Sequence, residues 1–123
     1  RNGMLLPLSG KPLELHYFPR LGAEFFLWEP DLDYISQFHA SPTVDLLRLE
    51  SESIKAREFD WVVHNLEPSK RVYQGSRDYR RVRSPAALEP GAWHYDAARK
   101  TLRVRVLAAE HGNEIVHVEF AKP

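Results

Sequence analysis

Apolar residues recur along this chain with a period of two, the mark of strands with one face in a core. In "PLELHYF" the residues Leu13, Leu15 and Tyr17 alternate with Glu14, His16 and Phe18. "EFFLWE", from Glu24 to Glu29, is a short continuous apolar run, as expected of a strand well inside a sheet. "TVDLLRLESES" carries Val44 and Leu46 in one phase and Leu47 and Leu49 in the other, a slip that predicts a β-bulge near Leu46-Leu47. "REFDWVVHN" puts Phe59, Trp61 and Val63 on one face, with Asp60 and His64 on the other. "TLRVRVL" turns Leu102, Val104 and Val106 inward and Arg103 and Arg105 outward. "EIVHVEF" sets Val116, Val118 and Phe120 in one phase and Ile115, His117 and Glu119 in the other.

Turn residues separate these runs. Pro19 to Gly22 joins the first two strands, and His111 to Asn113 is expected to join the last two as a hairpin. "YDAARKTL" reads as a hairpin from a short strand, Trp93 to Tyr95, into Thr101 to Leu107. The Arg-rich middle, with Arg77, Arg80, Arg81 and Arg83, could suggest an anionic partner, but with no net positive charge it reads as a solvated loop or a docking surface for other domains of a longer chain. One short helical turn is expected at Asp33 to Phe38. Many short strands with Gly/Pro turns and no helices between them predict an all-β, antiparallel two-sheet β-sandwich of about seven to nine strands.

Length and composition fit a single domain spanning residues 1–123. A chain of this size buries roughly two thirds of its unfolded surface, enough for a core without staples. There is no cysteine, and so no disulfide, thiolate nucleophile or cysteine-bound metal. Seventeen basic residues balance seventeen acidic ones, which argues against a nucleic-acid partner. No apolar run approaches the ~20 residues of a membrane span, and no signal-peptide core is present, so compartment stays open. "RNGMLLPLSG" reads as the middle of a longer chain or an expression remnant.

Two groups of residues invite a chemical reading. Glu29, Asp31 and Asp33 close the apolar run. They could be a glycosidase carboxylate pair, a Ca²⁺ loop, or a polar turn after a buried strand. Glycosidase carboxylates face each other across a cleft rather than sharing one short loop, so the turn reading leads and Ca²⁺ is the weaker alternative. On that reading Pro30 stops the strand, the acids face solvent, and converting all three to amides leaves folding nearly intact. The second group is aromatic. Trp61, in phase with Phe59 and Val63, belongs to the core, whereas Trp93, Trp28 and Tyr95 are candidate stacking surfaces for a sugar. The six histidines show no ligand spacing, no nucleophile elbow or phosphate loop occurs, and no residue reads as catalytic or calls for a cofactor.

The order of motifs resembles the distal, C-terminal β-sandwich of glycoside hydrolase family 31, which includes α-glucosidases and α-xylosidases. "PLELHYFPRLGAEFFLWEPD" is similar to its opening strand, Tyr-Pro, glycine turn and Phe-to-Glu run. "FDWVVHNLEPSKRV" and "GAWHYDAARKTLRVRV" resemble its later strand and closing hairpin, so the likeness runs from Pro12 to Phe120. Pro30 and the lack of a glycine after Asp31 depart from the family's acidic turn. The resemblance implies a fragment from the C-terminal end of a larger glycosidase, with the catalytic carboxylates on an upstream barrel of about 250 residues that this chain is too short to contain. It implies a structural partner role toward the parent's barrel and neighbouring sandwich. A carbohydrate-binding module with its own sugar site, and a stand-alone interaction domain, are the alternatives.

Overall fold

The computed structural model describes residues 13–120, and residues 3–6 by their backbone alone. The expectations for the rest of Arg1–Gly10 and for Pro12 lie outside the described residues. Twelve strands are described: β1 (Gly3–Leu6), β2 (Leu13–Tyr17), β3 (Ala23–Glu29), β4 (Tyr34–Pro42), β5 (Leu46–Ser53), β6 (Arg57–Val63), β7 (Ser69–Gln74), β8 (Arg77–Asp78), β9 (Arg80–Arg81), β10 (Ala92–Asp96), β11 (Thr101–Ala108) and β12 (Gly112–Phe120). They form two sheets, seven-stranded β1-β3-β4-β5-β12-β7-β8 and five-stranded β2-β6-β11-β10-β9. The expected sandwich is the observed one. The larger count comes from the short β1, β8 and β9 together with β4 and β7, which form where the sequence predicts turn and connection, and most pairs are antiparallel.

Alternation decides the core. Phe59, Trp61 and Val63 of β6 and Leu102, Val104 and Val106 of β11 face Phe25, Phe38, Leu49, Val116 and Val118 of the other sheet. Trp61 is fully buried at the centre of an aromatic cluster, with ring centroids 6.0 Å from Phe25, 6.4 Å from Phe38 and 6.1 Å from Phe59. Tilted and edge-on packing of this kind adds to the area such rings bury.

Several local expectations give way. Asp33–Phe38 holds no helical turn: Tyr34 opens β4, which pairs back on β3 with Glu29 opposite Tyr34. Ser36, Phe38 and Ala40 are buried on its inner face, so a strand buries what a single helical turn would leave in water. The short helix is a 3₁₀ turn at Pro85–Ala87, where a proline can start one. No register shift occurs near Leu46-Leu47, because β5 begins at Leu46 and Val44 lies outside it, exposed. The shift falls instead between Glu119 and Phe120. The Arg-rich middle is not all loop, since β8 and β9 form there as short edge strands. His111–Asn113 does not make a hairpin: β11 and β12 belong to different sheets, and their turn is a corner of the sandwich. By contrast β10 and β11 pair as the expected hairpin.

Candidate functional site

The acidic turn separates into two environments. Pro30 follows the last residue of β3, and a bond from Leu32 N–H to the Glu29 carbonyl (3.1 Å) closes the turn. Pro30 supplies the fixed φ of its second position. Asp33 adopts a left-handed φ of 52°, which Asp tolerates better than most residues. Asp31 is exposed and pairs with Lys55 Nζ at 2.8 Å. That hydrogen bond holds its carboxyl below the usual carboxylate range.

Glu29 is different. Its side chain follows Phe25 and Leu27 into the interior, where it is 1% exposed. There it accepts from Ser36 Oγ at 2.6 Å and forms an ion pair with Arg57, the first residue of β6. Ser36 Oγ in turn accepts from the Ile54 amide at 3.0 Å. The three acids are therefore not one solvent-facing group: Glu29 joins the two sheets at the end of the sandwich. A lone charge could not be buried so deeply, and it is the partner from the opposite sheet that makes it stable there. Among the described residues no group of three His, Asp or Glu is placed to hold a metal ion.

The aromatic candidates also part. Trp93 is 3% exposed and Tyr95 is 7% exposed, and both join the inter-sheet core. Trp93 donates to the Tyr79 carbonyl at 3.3 Å beneath the Arg81 guanidinium, 5.1 Å from the ring centroid. Tyr95 donates to the Leu66 carbonyl at 2.6 Å. Neither offers a free ring face as a stacking platform. Their spacing of two, in the phase opposite to His94, was the signal for a shared inner face. Trp28 remains on the outer face of the larger sheet, 39% exposed, opposite Ile35.

The outer face of the five-stranded sheet carries a polar network that the alternation marked only as outward. Asp60 of β6 is buried yet sits there, accepting from Arg105 Nε (2.8 Å), Arg105 Nη2 (3.0 Å) and Arg103 Nη1 (3.1 Å). Arg103 also donates to Glu14 on β2 at 2.7 Å. Arg105 reaches the Leu88 carbonyl at 3.1 Å, tying down the loop that places Val82 and Leu88 over Ala92. The bond from Arg103, then that from His16, lower the Glu14 carboxyl below its ordinary value. His16 Nε2 lies 3.0 Å from Glu14 Oε1, and its Nδ1 lies 2.8 Å from His64 Nε2. With both rings neutral, His16 donates to Glu14 and accepts from His64. The exposed Phe18 stacks on His64 with centroids 4.6 Å apart. Burial, then the charge near His16 and Arg103, push the His64 imidazole below its usual value.

No family model matches the sequence, and no curated protein matches it. The fold does have counterparts among solved structures. The GH31 dextranase FjDex31A of Flavobacterium johnsoniae, complexed with isomaltotriose, matches 81% of this chain at a TM-score of 0.65 and 15% identity. The cycloalternan-forming enzyme of Listeria monocytogenes, in complex with a pentasaccharide substrate, matches 80% at a TM-score of 0.66 and 13% identity. This chain spans 15% of the first protein and 10% of the second. At such identities the likeness establishes the fold, and it is the fold of a β-sandwich built into a GH31 dextranase and a cycloalternan-forming enzyme, each many times the length of this chain.

Proposed function

We propose that this chain is a non-catalytic accessory domain of a family 31-type glycoside hydrolase acting on α-linked sugars, and that its role is to dock onto the parent enzyme's other domains. The observation that carries this reading is the pairing of broad coverage of this chain with small coverage of each enzyme: 80–81% of the chain matches, yet it is a minor part of each enzyme. Chemistry agrees with it. Glu29 is held by Arg57, and Asp31 and Asp33 lie in a turn, so the acidic stretch has the partners of a structural element. A surface supports docking as well. The β2–β3 and β4–β5 loops lie at one end of the sandwich and expose Phe18, Leu21 and Val44. Exposed apolar residues gathered at one end are what a covered face requires.

The test compares this 123-residue chain with a longer product that includes the residues encoded ahead of Arg1. The chain alone should leave aryl α-glucosides and α-xylosides intact, and the longer product should hydrolyse one of them. Placing serine at Phe18, Leu21 and Val44 together should lower the melting temperature or activity of the longer product by more than it lowers the short chain's melting temperature, where only the Phe18 stack on His64 is lost. Turnover by the short chain, or a longer product indifferent to the three serines, sinks the proposal.

A further inference from the structure

A cleft of about 210 Å³ lies at the end of the seven-stranded sheet that also carries the β3–β4 turn, where outward residues of three strands meet the strand end at Tyr34. Its floor is one cross-strand row. Gln37 of β4 faces Glu52 of β5, and Glu52 faces Asn113 of β12. Tyr34, 64% exposed, lines one side of this floor, and the corner at His111 and Gly112 lines another. The corner is tight at Gly112, where a Cβ would come within 2.6 Å of Glu114 Oε2 and 3.0 Å of the Ala109 carbonyl, so a larger residue needs the Glu114 side chain to shift.

The chemistry of this lining is selective. Among the described residues the Tyr34 hydroxyl and the Gln37 amide have no protein hydrogen-bond partner, so both are free to meet a ligand. Asn113 uses its amide N–H on Glu50 (2.9 Å), which leaves its carbonyl oxygen as an acceptor. Glu52 has His39 Nε2 at 3.4 Å, so the cleft's carboxylate already has a cationic or donor neighbour. An exposed aromatic ring beside a planar amide, an amide oxygen and a partnered carboxylate suits a neutral ligand with one apolar face and many hydroxyls. A pyranose has that form: its axial C–H groups lie on a ring while its vicinal hydroxyls bridge planar donor and acceptor pairs. The volume is below the 300–1,000 Å³ typical of drug-sized sites and suits a single sugar residue.

We propose that this cleft is a saccharide-binding site, with one sugar ring stacked on Tyr34 and its hydroxyls bonded to Gln37, Glu52 and Asn113. The site goes beyond the docking role and does not rest on it. Nor does it use Trp93 or Tyr95, whose rings are in the core.

Saturation-transfer NMR and calorimetry on the 123-residue chain, with maltotriose, cellotriose and xylotriose as probes, test it. At least one sugar should bind saturably. Tyr34→Ala should weaken that sugar by about tenfold, and Tyr34→Phe, which keeps the ring, by no more than about twofold. Gln37→Ala, an exposed position within β4, provides a second variant that should weaken binding without disturbing the turn. No saturable binding by any of the three sugars, or binding unchanged in both alanine variants, overturns the site. Such a result leaves the docking role standing, since that is read from the longer product's activity and stability.

Discussion

Glu29 and Arg57 form an ion pair that bridges the two sheets, between the last residue of β3 and the first of β6. Glu29 is also bonded by Ser36, whose oxygen accepts the Ile54 amide, so one carboxylate organises the β3–β4 and β5–β6 turns together. Removing one member of a buried pair leaves the other charge uncompensated.

Glu29→Ala should therefore lower unfolding free energy by about 3 kcal/mol or more. Asp31→Asn and Asp33→Asn should leave the urea midpoint nearly unchanged, since both side chains remain in solvent. Urea titration of the three single variants checks this. Equal midpoints for all three would show that the Glu29–Arg57 pair contributes nothing.

Trp61 is the largest fully buried side chain and contacts rings from both sheets. Trp61→Ala should cost about 3–5 kcal/mol, a large share of the ~5–15 kcal/mol available to a small domain. Trp61→Phe should cost less, because a ring remains to fill the space. The ranking is read from chemical denaturation followed by circular dichroism.

Asp60 holds two arginines that face outward from β11. Asp60→Ala should destabilise by about 3 kcal/mol, leaving Arg103 and Arg105 crowded without their shared carboxylate. Replacing Asp60, Arg103 and Arg105 together with apolar residues should recover part of that loss, because both guanidiniums that Asp60 holds go with it and Glu14, which loses Arg103, stays partly in solvent beside His16. Denaturation midpoints of the single and triple variants decide it.

The folded state favours neutral His64, whose imidazole lies below its ordinary 6.5. In that case the unfolded chain takes up its proton first on acidification. The contribution of His64 is present above pH 6.5 and shrinks as pH falls from there through the folded value. Glu14 acts in the same direction at lower pH: its depressed carboxyl adds stability above its ordinary 4.5, which is lost as pH falls through the folded value. Stability should decline in two stages on acidification, and His64→Gln should flatten the first. Urea midpoints from pH 8 down to about pH 2, with imidazole titration by NMR, test this; His64 titrating at or above its ordinary value is the contrary outcome.

The strands themselves were legible because alternation is a local property: each residue in β6 or β11 faces the core or not according to its own side chain. Phe59, Trp61 and Val63 turned inward as their phase requires, and Pro30 ended β3 by removing an N–H from the ladder. The β10–β11 hairpin was legible for the same reason, its turn and both strands lying within one short stretch. Pairing between distant segments was not. β2 lies parallel to β6 and β1 parallel to β3, and no residue in either short strand names its neighbour. The buried acids could not be read either. Glu29 and Asp60 look like surface residues until partners 28 and 45 positions away are brought beside them. The cleft at Tyr34 has the same origin: Gln37, Glu52 and Asn113 meet only across three strands. Sequence determined which residues turn inward, since hydrophobic burial acts residue by residue. Tertiary structure decided which charges are buried and which polar groups converge, since both depend on a partner the local chain does not contain.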